Sequence, residues 1–261
     1  MNDQIIGLSD WFGTPPGRYL LAWERAQLDL AVADIFGYHA LQLGLVELDA
    51  LAANRIPHRW LASQTALPGA AIVTDFSALP FAAHSLDLVV LPHALELAGN
   101  PHATLREVER VLVPEGRVVI SGLNRISLWG WRQRRAQLAQ RLGMGQLFLP
   151  QKEFIGYWRL RDWLRLLGFE VELARFGCYR PAFSGQDWLQ RFAWMDRVGE
   201  RCWPILGAVY FLVAVKRVRG MTLLSPAWKA ARAVAAAPVS AANSSTLVRS
   251  SGLAQQEVQE P

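Results

Sequence analysis

The sequence predicts an α/β chain built on an open, mostly parallel sheet with helices on both faces. Three observations predict it. Short, almost wholly apolar runs recur along the chain, they alternate with segments of helical apolar spacing, and cap and turn residues mark the junctions. Strands that are apolar at consecutive positions are those covered on both faces.

In chain order, Arg18 to Phe36 has apolar residues at helical spacing and precedes a short run, Ala40 to Leu45. A second strand is expected near His58 to Ser63, and a third at Ala71 to Thr74, ending at Asp75. Leu86 to Leu91 is the most continuous apolar strand. Asn100 and Pro101 then supply a cap residue and a first-turn proline, and Leu105, Val108 and Leu112 lie on one face of the helix that follows. The helix is expected to stop at Pro114-Glu115-Gly116, with Arg117 to Ser121 as the next strand. Leu160 to Leu167 is an amphipathic helix closed by Gly168, Phe169 to Ala174 a strand, and Ala208 to Val215 the last strand, followed by Lys216 and Arg217. In such sheets ligands bind at the carboxyl ends of the strands, where the winding direction reverses.

With 261 residues, 52% of them hydrophobic and 19% charged, the chain can bury a sizeable core. The longest apolar run near the end, Ile205 to Val215, is short of the roughly 20 residues of a spanning helix. Met1 to Gly17 lacks a basic region followed by an apolar run, so a cytoplasmic location is expected. Two cysteines, Cys178 and Cys202, imply no disulfide framework, and buried structural thiols are the expectation for both. The domain is expected over residues 1–224, and the Ala- and Ser-rich residues 225–261 are expected to form a poorly ordered tail.

The net charge of +5 is concentrated. Between Arg125 and Arg165 lie nine basic and two acidic residues, a surplus larger than that of the whole chain. A local surplus of this kind points to a specific anionic contact. Trp129, Trp131, Trp158 and Trp163 are interleaved with these arginines. That mixture suits a nucleic-acid or acidic partner, and equally a helical lid with one packed face and solvated charges.

The stretch Asp75-Phe76-Ser77-Ala78-Leu79-Pro80-Phe81, followed by Ser85-Leu86-Asp87-Leu88-Val89-Val90-Leu91, then Asn100-Pro101-His102 and Leu105 to Arg117, resembles the middle of class I S-adenosylmethionine-dependent methyltransferases. Ser121-Gly122-Leu123-Asn124 with Ser127-Leu128-Trp129-Gly130, and Arg161-Asp162-Trp163-Leu164 with Leu167-Gly168-Phe169-Glu170-Val171, are similar to a bacterial subgroup of that family. Glu109 and Glu115 depart from its helix and turn pattern. The resemblance implies a seven-stranded sheet of order 3-2-1-4-5-7-6 with strand 7 antiparallel. It also implies S-adenosylmethionine as cofactor and methyl transfer to an acceptor that the sequence does not name.

Methyl transfer mainly requires alignment of nucleophile and methyl group, so the family has no universal catalytic residue and none is assigned here. The resemblance places the cofactor on three contacts. The first is the turn after strand 1, where Gly44 is kept but Leu45 and Val46 replace the small residues and crowd the approach. The second is an acidic residue at the end of strand 2 for the ribose hydroxyls. No Asp or Glu occurs from Ala50 to Thr74, which leaves Ser63 or Gln64 as neutral substitutes. The third is Asp75, matching the adenine-binding aspartate, with the Phe76 amide facing the ring and the Leu91-Pro92-His93 backbone running beneath.

His93 is a candidate for contact with substrate or for a base, against an ordinary strand-end histidine. The five histidines show no ligand spacing with cysteine or carboxylate, so no metal is expected. The leading function is thus a methyltransferase whose basic segment, residues 125–165, meets an anionic acceptor. A scaffolding protein that kept the fold is the alternative, and filling of the space around Gly44 by Leu45 and Val46 supports it. A nucleic-acid-binding protein is a weaker third.

Overall fold

A computed structural model describes residues 10–141, 154–181, 183 and 185–217. They belong to one structural unit, Met1–Arg219. The expected tail, residues 225–261, lies outside the described residues.

The order along the chain is α1 (Pro15–Val32), β1 (His39–Leu43), β2 (His58–Ser63), β3 (Ile72–Val73), β4 (Leu86–Pro92), α2 (Ala94–Leu97), α3 (Pro101–Val111), β5 (Leu112–Leu123), α4 (Leu128–Arg141), α5 (Tyr157–Leu166), β6 (Phe169–Gly177), α6 (Gln186–Arg191), α7 (Trp194–Cys202) and β7 (Val209–Lys216). The seven strands form one sheet in the order β3-β2-β1-β4-β5-β7-β6. All neighbours are parallel except β7, which is antiparallel to both β5 and β6. This is the expected architecture.

Alternation along each strand sends side chains to two separate apolar layers. Ala40, Leu88, Val90, Val119, Phe211 and Val213 face Leu20, Leu28 and Val32 of α1. Leu41, Val89, Leu91, Val118 and Leu212 face Leu105 and Val108 of α3 and Leu160 and Leu164 of α5. Helices therefore cover both faces.

Local signals set the helix ends. The Thr14 hydroxyl accepts a hydrogen bond from Gly17 N (3.3 Å), with Pro15 as the first helical residue of α1. Asn100 Oδ1 accepts one from Ala103 N (3.1 Å) at the start of α3. The end of α3 differs from the expectation. It stops at Val111, because Leu112 already pairs with Leu86 in the sheet, and Pro114 to Gly116 lie within β5.

The two departures from the family pattern have structural partners. Lys216, buried at the end of β7, lies 2.8 Å from Oε1 of Glu109 and donates to the Glu109 and Leu112 carbonyls. Arg217 pairs with Glu115 and with Glu170.

The connections differ in kind. Between β4 and β5, and between β5 and β6, helices cross the sheet. Residues 44–57 and 64–71, which join β1 to β2 and β2 to β3, form turns and no helix. Parallel strands need a crossover of about a dozen residues, and here the first is made of turns alone.

Candidate cofactor cleft and a buried histidine

The carboxyl ends of β1, β2 and β4 meet at Gly44. Its φ of +91° is left-handed, a region that disfavours side chains. Gly44 N donates to the Ala62 carbonyl of β2 (2.9 Å), which closes the turn against the neighbouring strand. A Cβ at this position would lie 3.3 Å from the Ala94 side chain and 3.4 Å from the Pro92 carbonyl oxygen.

Beyond Gly44, Gln42 holds the turn that follows. Its Nε2 donates to the Leu45 and Leu48 carbonyls (2.7 and 2.6 Å), and its Oε1 accepts from Ala50 N (2.9 Å). Gln42 is buried, so these bonds satisfy a side chain that would otherwise be costly inside. They also fold Leu45 inward, where it is buried against the core.

The space enclosed by Gly44, Leu45, Ser63, Gln64, Phe76 and Leu97 is about 20 Å³. That is room for about one water, against about 300–1,000 Å³ for a ligand pocket. Leu45 and Val46 both line it, so the crowding expected from their size is present.

One atom in this lining is out of balance. Oε1 of Gln64, at the end of β2, is buried and has no hydrogen-bond partner among the described residues. A buried acceptor without a donor is unfavourable by about 1–3 kcal/mol unless something else satisfies it. It stands one residue past the end of β2, where the family places its ribose-binding acid. Ser63 Oγ is instead engaged by Thr65 N (3.4 Å).

Of the other expected contacts, Phe76 lines this space, and Asp75, Leu91, Pro92 and His93 do not. Phe76 is buried. Asp75 is exposed, and its Oδ1 accepts from Ser77 N (2.9 Å) in a local turn. Bonds from the Ser77 amide and hydroxyl hold its carboxyl below the usual aspartate range. Leu91 and Pro92 are buried at the end of β4, with the Pro92 carbonyl under Gly44.

His93 turns away from the cleft into a buried polar centre. Its φ is +52°, and its ring sits between two carboxylates. Nδ1 is 2.8 Å from Oε2 of Glu96, and Nε2 is 2.9 Å from Oε1 of Glu24 on α1. Glu96 Oε1 also accepts from Leu123 N (2.5 Å), which ties the centre to β5. Neither Glu24 oxygen nor His93 Nε2 makes a hydrogen bond among the described residues, so the 2.9 Å contact between them is an ion pair without hydrogen-bond geometry. Burial alone would push the His93 pKa down. The two carboxylates outweigh it and push it up to about 10, which favours the imidazolium form.

Glu24 and Glu96 were not singled out in the sequence. The available signal was a glutamate on the buried four-residue stripe Leu20-Glu24-Leu28-Val32. The cysteines divide: Cys178 is buried, as expected, whereas Cys202 at the end of α7 is exposed. Of the four tryptophans in the basic window, Trp129 is buried and donates to the Arg180 carbonyl (2.7 Å). Trp131 and Trp158 are exposed beneath Arg135 and Arg161.

A methyltransferase domain matches residues 39–120. The uncharacterized protein YafS of Escherichia coli strain K12 is 32% identical over 223 residues, covering 84% of this chain and 85% of its own. The chain belongs to the class I methyltransferase family. Two solved structures share the fold. A chain from the Haloferax volcanii complex of the Trm112 methyltransferase activator with a methyltransferase is 20% identical, with a TM-score of 0.53 over 75% of this chain and 90% of that one. An S-adenosylmethionine-dependent methyltransferase of Archaeoglobus fulgidus is 14% identical, with a TM-score of 0.52 over 75% of this chain and 94% of that one. Within this methyltransferase fold no helix among the described residues is long and apolar enough to cross a membrane.

Proposed function

We propose that this methyltransferase-family chain is an S-adenosylmethionine-dependent enzyme whose cofactor cleft opens by movement of the turn after Gly44. The observation that carries this reading is the orphaned Gln64 Oε1, a buried acceptor on a residue that lines the small space at the end of β2. The residues fit the cofactor chemically. Gly44 offers backbone approach, Gln64 an acceptor for a ribose hydroxyl, Phe76 an apolar wall, Asp75 a carboxylate at the rim, and Leu91 and Pro92 a backbone floor. When bound, S-adenosylmethionine supplies an electrophilic methyl group on its sulfonium. The chain's own part is to open at Leu45, exclude water with Phe76 and Leu97, and hold the ribose side at Gln64. His93 is committed to Glu24 and Glu96, so it acts as a structural tie between α1 and β4, and no catalytic base is assigned.

Opening must break the bonds from Gln42 to Leu45 and Leu48, so the binding-competent form is a minor one and apparent affinity is reduced by its population. Calorimetric titration with S-adenosylmethionine and S-adenosylhomocysteine tests this, with Asp75→Ala as a control. Binding that the substitution weakens supports the enzyme. Absence of binding at millimolar ligand overturns it.

A second reading has its own support. The closed space of about 20 Å³ is what a scaffold that has lost the cofactor would show. Under that reading the same titration gives no heat, and widening the space at Leu45 does not restore any.

A further inference from the structure

The basic window converges on a cavity that the cofactor reading leaves unused. A hollow of about 250 Å³ beyond the carboxyl end of β5 is lined by Arg125, Arg134 and Arg159, with Gln133, Gln137 and Phe154. We propose that this cavity binds the phosphate group of a phosphomonoester, with the three guanidiniums as its counter-charges.

The arginines are placed by specific backbone geometry. Asn124, just after β5, is buried and donates to the Ile205 and Gly207 carbonyls (2.7 and 2.9 Å), which fixes the start of the loop. Ser127 caps α4, its hydroxyl accepting from Gly130 N (3.1 Å). Gly130 lets the first turn of α4 press on that loop: a Cβ there would lie 2.4 Å from the Arg125 carbonyl oxygen. One helical turn further on, Arg134 donates to the same carbonyl (2.9 Å), so its guanidinium is held across the loop that carries Arg125. Arg159 arrives from the first turn of α5.

Among the described residues, what marks this cavity is charge without a counter-charge. Arg110, Arg117, Arg180 and Arg217 each sit on a carboxylate. Among the described residues no carboxylate lines the cavity, and none pairs with Arg125, Arg134 or Arg159. Three cations around one hollow repel one another, and an oxyanion between them reverses the sign of that interaction. Guanidiniums grip phosphate oxygens through paired N–H donors, and Gln133 and Gln137 bring uncharged amides to the same wall. The volume is close to the lower end of small-molecule pockets, about 300 Å³, and a hollow of that size does not offer the extended row of phosphate contacts on which nucleic-acid affinity rests. Phe154 gives the group attached to the phosphate an apolar neighbour.

The inference concerns binding alone, and it stands or falls apart from the opening of the cleft at Gly44. The test is calorimetric titration of the full chain with phenyl phosphate, with phenol as the neutral probe and inorganic phosphate as competitor. The expected result is binding of phenyl phosphate, none of phenol, displacement by inorganic phosphate, and at least a tenfold loss in Arg125→Gln/Arg134→Gln. The single Arg159→Gln variant is expected to lose several-fold, which keeps the test available if the double variant does not fold. Arg201→Gln, on α7 and outside the cavity, is expected to bind as the parent does. Co-sedimentation with vesicles of phosphatidic acid in phosphatidylcholine separates the two sources of a phosphomonoester. Sedimentation that inorganic phosphate reverses assigns a lipid headgroup, and its absence beside phenyl phosphate binding assigns a soluble ester. Equal binding by parent and variants, absence of binding to every phosphate probe, or single-stranded RNA binding that phenyl phosphate does not displace would each overturn the proposal.

Discussion

The two halves of the sheet are built to different standards. The half made of β4, β5, β7 and β6 has strands of seven to twelve residues, helices in its crossovers, and a buried ionic centre that ties β4 and β5 to α1. The half made of β1, β2 and β3 has strands of five, six and two residues joined by turns alone. The first half is over-determined by packing. The second is held near Gly44 by hydrogen bonds from Gln42 and by Leu45, Leu48, Leu51 and Ile56, which reach the core from a stretch without a helix.

The largest expected effect breaks the rigid half. His93→Ala removes the cation between Glu24 and Glu96 and leaves two carboxylates facing each other inside the protein. Removing one partner of a buried ion pair costs about 3–5 kcal/mol, read as the shift in urea unfolding. The milder His93→Gln keeps shape and isolates the charge. The His93 pKa is raised in the folded chain to about 10, so folding favours its protonated form. That stability is fully present below the unfolded value, about 6.5, and is lost as pH rises toward 10. Cys178 and Tyr210, which are buried, and Tyr19 also have raised values, and their effects add in the same direction at higher pH. The measurement is therefore urea unfolding between about pH 6.5 and 9. The parent should lose stability across that range and His93→Gln should lose much less. Equal slopes would show that His93 is neutral in the folded chain.

Leu45→Ala acts on the other half and sharpens the contrast. Trimming a buried leucine costs about 2–5 kcal/mol of stability in general, and the low end is expected here because the turn can relax. The same change enlarges the space beside Gly44 and removes part of what opening must displace. Under the enzyme reading the affinity for S-adenosylmethionine rises about tenfold while the melting temperature falls. A variant that melts lower and still binds nothing favours the scaffold.

The same contrast explains what was legible in the sequence. The long strands announced themselves through continuous apolar runs, and the matched motif from Leu86 to Arg117 lies where family and physics agree. Asn100 and Pro101 fixed the start of α3 because capping is a local interaction. Its end was misplaced because Leu112 pairs with Leu86, a contact between residues far apart in sequence. The absence of helices after β1 and β2 was hidden for a similar reason. After β1 the turn is held by Gln42 bonding forward to Leu45, Leu48 and Ala50, and polar residues carry no periodic signal. The departures at Leu45 and Val46 were visible as bulky residues beside Gly44, but the closure they produce is a matter of volume. The centre around His93 joins three segments, so its carboxylates could be recognised only in the folded chain.

The smallest effect is the most discriminating, because it has opposite signs in two measurements. Gln64→Leu is nearly isosteric and deletes the buried Oε1 that lacks a partner among the described residues. Removing an unsatisfied buried acceptor should raise stability, by about 1 kcal/mol or somewhat less, whatever the protein does. If that oxygen receives a ribose hydroxyl, the same substitution also weakens S-adenosylmethionine binding, by up to about tenfold for one hydrogen bond. A stabilised variant with weakened binding places the cofactor at the end of β2. A stabilised variant with unchanged binding moves the ribose elsewhere, and one that is destabilised shows that Gln64 already has a partner in solution.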